Sequence, residues 1–142
     1  MYSPQSALPF ARFGAMANAY RQVGVETSVE DASPHQLINL LFDGFVESIS
    51  QARGALRNGE IEQKGRAIGR AARIVEEGLK ASLKVGEGGS LARDLNALYE
   101  YLTRQLTLAN IRNDDAMLEE CAQLVEPLRQ AWKEIGRQVG RP

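Results

Sequence analysis

One histidine and one cysteine bound the chemistry open to this chain. A di-iron carboxylate site in a helical bundle needs two Glu-x-x-His pairs, and His35 alone cannot build it. A zinc site from His35 and Cys121 would need further ligands at regular spacing, and none stands near them. A histidine phosphotransfer bundle needs an exposed histidine in mid-helix. His35 falls in the first turn of a predicted helix and is followed by Gln36, Leu37, Ile38 and Asn39, without the Lys and Gly that crowd such a residue. It reads as a surface histidine at a helix start. Cys121 lies on an apolar seam with no base near it, so it reads as a small buried hydrophobe rather than a nucleophile. Gly86-Glu87-Gly88-Gly89-Ser90 has the glycine content of a phosphate loop but lacks Gly-Lys-Ser/Thr and a preceding strand. Asp43-Gly44 lies mid-helix and reads as close packing at the glycine. No catalytic residue, metal site or cofactor is expected, and the chain reads as a non-enzyme.

The elements that hold these residues follow from apolar spacing. Leu91, Leu95, Leu98, Leu102, Leu106 and Ala109 recur at steps of three and four, which is one face of a helix over residues 90–113. Tyr101, Leu108 and Ala97 form a second ridge on it. Upstream, Ser33-Pro34-His35-Gln36 is a helix start: Ser33 suits the N-cap, Pro34 the first helical position, and Gln36 completes a capping box. Leu37, Leu41, Phe45, Ala52 and Leu56 form that helix's main face, with Leu40 on one flank and Phe42, Val46 and Ile49 on the other. Asn58-Gly59 ends it. A further helix runs from about Glu60 to Val85 with Ile61, Ile68, Ala72, Val75 and Leu79 as its stripe. Gly65, Gly69 and Gly78 each cost it about 1 kcal/mol against Ala, and close approach of a neighbouring backbone is their expected use. The last helix starts after Asn113 or Asp114. Its stripe is Leu118, Cys121, Val125, Leu128, Trp132, Ile135 and Val139, a heptad seam. Trp132 is its core anchor, and Pro127 is expected to kink or split it near Val125.

Four amphipathic helices joined by short loops pack as an all-α, antiparallel up-down four-helix bundle. The bundle is assigned to residues 33–142. Residues 1–32 read as a flexible arm with a short capping helix near 15–23, too short to persist unless docked. At 142 residues the chain suits one domain, and its 44% apolar and 25% charged content is ordinary for a globular protein. A net charge of −1 offers no basic excess for nucleic acid. The lone cysteine fits a reducing compartment, no apolar run of about 18 residues is present to span a membrane, and the start lacks a signal-peptide pattern. These point to the cytosol.

The apolar residues off the main faces carry the functional signal. Phe42, Val46, Ile49, Tyr101 and Leu108 exceed what one seam per helix uses, and predict apolar grooves on the outside of the bundle. Such grooves are berths for amphipathic segments of a partner.

A family resemblance rests on an ordered set of residues. Tyr20, Gln22 and Val23 come first, then Ala32-Ser33-Pro34-His35-Gln36-Leu37-Ile38 and Leu41-Phe42-Asp43-Gly44. Lys64-Gly65, Gly88-Gly89, Asn96, Leu98-Tyr99 and Tyr101, Ala109-Asn110-Ile111-Arg112-Asn113-Asp114 and Ala131-Trp132-Lys133 complete it. In this order and spacing, from about residue 17 to 135, the chain resembles the flagellin export chaperones of the FliS family. The resemblance implies a cytosolic four-helix bundle that binds the disordered C-terminal segment of flagellin. It would thereby prevent premature polymerisation and support delivery to the flagellar type III secretion apparatus. It also implies that Tyr20 belongs to a groove for which arm and client compete. Contacts with an export-gate component and an anti-sigma factor are implied as well. Two rivals from other classes are a phosphotransfer signalling bundle and a structural bundle that self-associates, as a homodimer for instance, through its last helix.

Overall fold

The computed structural model describes residues 17–22, 33–85 and 89–139. The expected loose arm over 1–14, the extended connector after Gly24 and the glycine break at 86–88 lie outside the described residues. Helix α1 covers 17–22. Helix α2 is Pro34–Arg57, α3 is Ile61–Arg73, α4 is Lys80–Val85, α5 is Gly89–Arg112 and α6 is Asp115–Val139. A π-helical segment, Ile74–Leu79, joins α3 to α4 without a break. No strand occurs among the described residues.

Local chemistry sets the helix ends. Ser33 Oγ accepts from the Gln36 amide at 3.1 Å, and Gln36 Oε1 accepts from the Ser33 amide at 2.9 Å, closing the capping box that fixes the start of α2. Gly59, at φ +75°, turns the chain toward α3. At the end of α5, Asn113 takes φ +52° and the Asp114 amide donates back to the Ala109 carbonyl at 3.1 Å, a Schellman closure. Asp114 Oδ1 then accepts from the Met117 amide at 3.2 Å and caps α6. Of the two residues expected to cap α6, Asp114 does so, while Asn113 is drawn into the preceding turn.

Consecutive long helices are neighbours. α2 packs against α3 and its π extension on one side and α6 on the other, and α5 packs against α3 and α6, leaving α2–α5 and α3–α6 as the diagonals. Cross-helix pairs give the antiparallel sense. Arg53 meets Asp115 at 2.8 Å while Asp43 meets Arg129 at 2.7 Å, and Lys64 meets Asn110 while Glu76 meets Thr103. This is the expected up-down bundle. Its core is Leu41, Phe45, Ile49 and Ala52 of α2, Ile68, Ala71, Ile74, Val75 and Leu79, then Leu102, Leu106 and Ala109 of α5 and Leu118, Cys121 and Val125 of α6.

Three local expectations are corrected. α6 continues through Pro127 as one helix, so the split expected near Val125 does not occur. The helix expected over 60–85 contains a π turn, which adds a residue per turn, so adjacent pairs Ile74/Val75 and Gly78/Leu79 both point inward. The glycines of α3 are not close-approach sites: at Gly65 the nearest foreign atom is Asn110 Oδ1 at 3.9 Å from an added Cβ, and at Gly69 only Arg73 lies within reach.

Lys64 is buried, and no carboxylate meets it among the described residues. Its Nζ donates to the Asn110 carbonyl at 2.8 Å and to Asn113 Oδ1 at 2.5 Å, tying α3 to the negative C-terminal end of α5. Lys64→Met should lower unfolding free energy by about 1–3 kcal/mol, since two hydrogen bonds from a charged donor are lost. Denaturant unfolding followed by circular dichroism measures it, with an unchanged midpoint as the contrary result.

Candidate protein-interaction surface

Neither candidate for chemistry is placed to act. The His35 ring stacks on Trp132 with centroids 4.5 Å apart and planes 8° apart, and Trp132 Nε1 donates to the His35 carbonyl at 3.0 Å. His35 Nε2 is enclosed without a hydrogen-bond partner among the described residues, pressed so close to Gly136 that a Cβ there would lie 2.2 Å away. The surface histidine expected at this helix start is instead a packing partner, which removes the geometric basis for phosphotransfer. Cys121 is fully buried, and burial pushes its thiol up to about 12, so it holds negligible thiolate.

The six predicted surface residues divide by burial. Phe42 is 4% exposed and Ile49 1%, so both are core, not outer groove. The reason is that α2 is flanked by two long helices and buries a wider stripe than one seam. Val46 is half-buried against the core. Tyr20 is buried too, with its hydroxyl raised by desolvation. It belongs to α1, which is seated on the bundle: Asn18 Nδ2 donates to Glu77 Oε2, and fully buried Ala19 meets Leu41 over Gly78. A Cβ on Gly78 would lie 2.9 Å from Leu41 Cδ1 and 3.0 Å from Ala19 Cβ. Of the three glycines singled out in the helix expected over 60–85, this one serves close approach, to side chains of two helices rather than to backbone.

Tyr101 and Leu108 lie on the outside of α5, half-exposed. Tyr101 Oη donates to Glu120 at 2.8 Å, and Gln105 donates to the same carboxylate at 3.3 Å, pinning the ridge to α6. That hydrogen bond, more than desolvation, raises the Tyr101 hydroxyl. Leu108 lines a shallow depression of about 390 Å³ with Thr103, Arg104 and Thr107. Ile111, 72% exposed, continues the ridge one turn on. The step of three from Leu108 was its signal in the sequence.

Three residues expected in buried stripes are exposed: Ile61 (50%), Leu91 (67%) and Ile135 (47%). Each lies at or near a helix end, beyond the reach of all its neighbours. Leu91 opens α5 and Ile135 is near the end of antiparallel α6, so both belong to one end of the bundle. Leu95, Leu98, Leu128 and Trp132, on the approach to that end, are only partly covered. Among the described residues the enclosed core thus gives way to a less covered, apolar α5–α6 end. The heptad seam of α6 is spent inside the bundle at Leu118, Cys121 and Val125 rather than presented whole to a second copy. Among the described residues no helix is long and apolar enough to cross a membrane.

The profile of the family described as Flagellar protein FliS matches residues 16–139. The chain belongs to the FliS family. It is 45% identical over 117 residues to the flagellar secretion chaperone FliS of Salmonella typhimurium, covering 82% of this chain and 87% of that one. It is 42% identical over 116 residues to the flagellar secretion chaperone FliSB of Pseudomonas aeruginosa (82% and 91% covered), and 33% identical over 116 residues to that of Bacillus subtilis (82% of each). The match spans α1 and every long helix, so the seat of α1 and the α5 ridge lie within the shared region.

Gly78→Ala should push α1 off its seat while the bundle stays folded, because the added methyl needs space that Leu41 and Ala19 occupy. Hydrogen exchange should speed up at amides 19–22 and stay slow in α5. Unchanged protection at 19–22 would show that α1 tolerates the methyl.

Proposed function

We propose that this FliS-family chain is a non-enzymatic, cytosolic export chaperone for flagellar assembly. In this reading it binds the disordered C-terminal segment of flagellin, prevents its polymerisation and presents it to the type III secretion apparatus. One observation carries the reading: apolar side chains run past the enclosed core, along Tyr101, Leu108 and Ile111 and at the open α5–α6 end. A disordered segment that folds on binding must offset its ordering entropy, and shallow apolar contacts spread over a wrapped surface do this while leaving the client releasable. Burying one large aliphatic side chain contributes roughly 1.5–3 kcal/mol, so a few such contacts suffice.

The seated α1 supports a regulatory part of the same reading. A short helix cannot persist alone, and Tyr20 and Ala19 are buried only because α1 is docked. Its departure would uncover Leu41 and the wall around Gly78 as client surface, so a docked α1 lowers the binding-competent fraction. In this way Tyr20, and the α2 residues Phe42, Val46 and Ile49 with it, would reach the client after rearrangement rather than as a standing groove.

Titration calorimetry with a flagellin C-terminal peptide tests both parts. Leu108→Asp combined with Ile111→Asp should weaken binding by about tenfold or more with helicity and melting retained, since a charge replaces apolar contact at a half-exposed site. Unchanged affinity would move the client off the α5 ridge. Deleting residues 1–24 should tighten binding; equal affinity with and without them would rule out self-capping.

A further inference from the structure

The bundle is electrically lopsided. α3 carries Lys64, Arg66, Arg70 and Arg73 against Glu62, a net +3. Diagonally across from it, α6 carries Asp115, Glu119, Glu120, Glu126 and Glu134 against Arg129, Lys133 and Arg137, a net −2. Lys64 is used internally, so the outward charge of α3 is its arginines. These are largely unspent. Among the described residues Arg66 pairs only with Glu62, 3.9 Å away, with both side chains mostly in water. Arg70 Nη1 donates at 2.6 Å to Gln51 Oε1, a neutral amide. Arg73 forms no ion pair among the described residues and folds back over Gly69. Several basic groups elsewhere are matched: Arg53 holds Asp115 and Glu119, Lys80 holds Glu76 and Glu100, and Arg129 holds Asp43 and Glu126. Beside the arginines, between α2 and α3, opens a crevice of about 380 Å³ lined by Gln51, Gln63, Arg66, Arg70, Glu60 and two alanines.

We propose that this α2–α3 crevice is a second docking surface, for an acidic segment of a partner protein. Guanidinium forks bind carboxylates through paired N–H groups, and Gln51 and Gln63 add neutral donors and acceptors suited to a peptide backbone. Glu60 at the rim sets the register by excluding a carboxylate from that end. The charge separation between α3 and α6 turns an approaching acidic chain toward α3. A nucleic acid fits less well, because phosphate binding needs a broad basic surface and this chain is net −1. A second copy fits less well too: on the acidic corner of α6, Asp115, Glu119 and Glu126 are already paired with Arg53 and Arg129. The surface is separate from the α5 ridge and does not depend on what binds there.

Fluorescence anisotropy on the full chain tests this, with a fluorescein-labelled peptide of alternating glutamate and alanine as probe. A lysine–alanine peptide and a single-stranded oligonucleotide serve as counter-probes. The acidic peptide should bind, weaken as salt is raised, and lose about tenfold or more in affinity with Arg66→Gln/Arg70→Gln, whose shorter neutral side chains leave the helix intact. Leu108→Asp should leave this binding unchanged, which separates the two surfaces. Four results would each overturn the proposal: no binding to the unaltered chain, equal affinity in the glutamine variant, tighter binding of the oligonucleotide, or self-association in sedimentation that the glutamine variant abolishes.

Discussion

Enclosure in a four-helix pack lasts only as far as all four helices run side by side. Along α6 the seam residues Leu118, Cys121 and Val125 are fully enclosed, Leu128 and Trp132 partly so, and Ile135 is about half exposed. α5 shows the same gradient in reverse, from exposed Leu91 through Leu95 and Leu98 to enclosed Leu102 and Leu106. The two helices are antiparallel, so both gradients fade at one end. An apolar stripe longer than the overlap that hides it leaves surface whose exposure costs free energy in proportion to its area. A partner segment laid on it recovers that free energy, which is why the open end and the α5 ridge belong to one account.

The π turn between α3 and α4 is the joint that admits α1. It brings Gly78 and Leu79 inward together, and the missing Cβ at Gly78 is the space into which Leu41 and Ala19 close. Glu77, in the same turn, receives Asn18. A regular helix here would carry a one-residue register shift through Lys80–Val85 and would present a different side chain to α1. The irregularity and the docked helix are therefore one feature.

Polar interactions set register more than they add stability. The Arg53–Asp115 and Asp43–Arg129 pairs are partly exposed, and such pairs contribute little individually. They stand at separated levels of the α2–α6 interface and align the two helices end to end. Lys64 differs, because its ammonium is buried and ties the close of α5 to α3 beside the turn into α6. Stacked His35 and Trp132, closed over Gly136, hold the start of α2 to the far half of α6.

Sequence by itself determined the helices, most of their ends and their up-down order. Capping boxes, stop glycines and three-four spacing act within a few residues of chain, so Ser33 to Gln36, Asn58-Gly59 and Asp114 could be read directly. Absence of an internal disulfide followed from the count of one cysteine. What spacing could not decide was which face of each helix meets which neighbour. Phe42 and Ile49 flank the main face of α2 on a wheel yet are enclosed, since α2 has a long helix on each side. Tyr101 and Leu108, no less apolar in pattern, stay half-exposed: Tyr101 reaches α6 through its hydroxyl and Leu108 lines an open depression. Ile61, Leu91 and Ile135 fit their stripes and are exposed, because overlap between helices depends on loop lengths and packing angles rather than on periodicity. His35 and the π turn were hidden for the same reason: a stacked ring and an inserted residue exist only through contacts with segments distant in the chain.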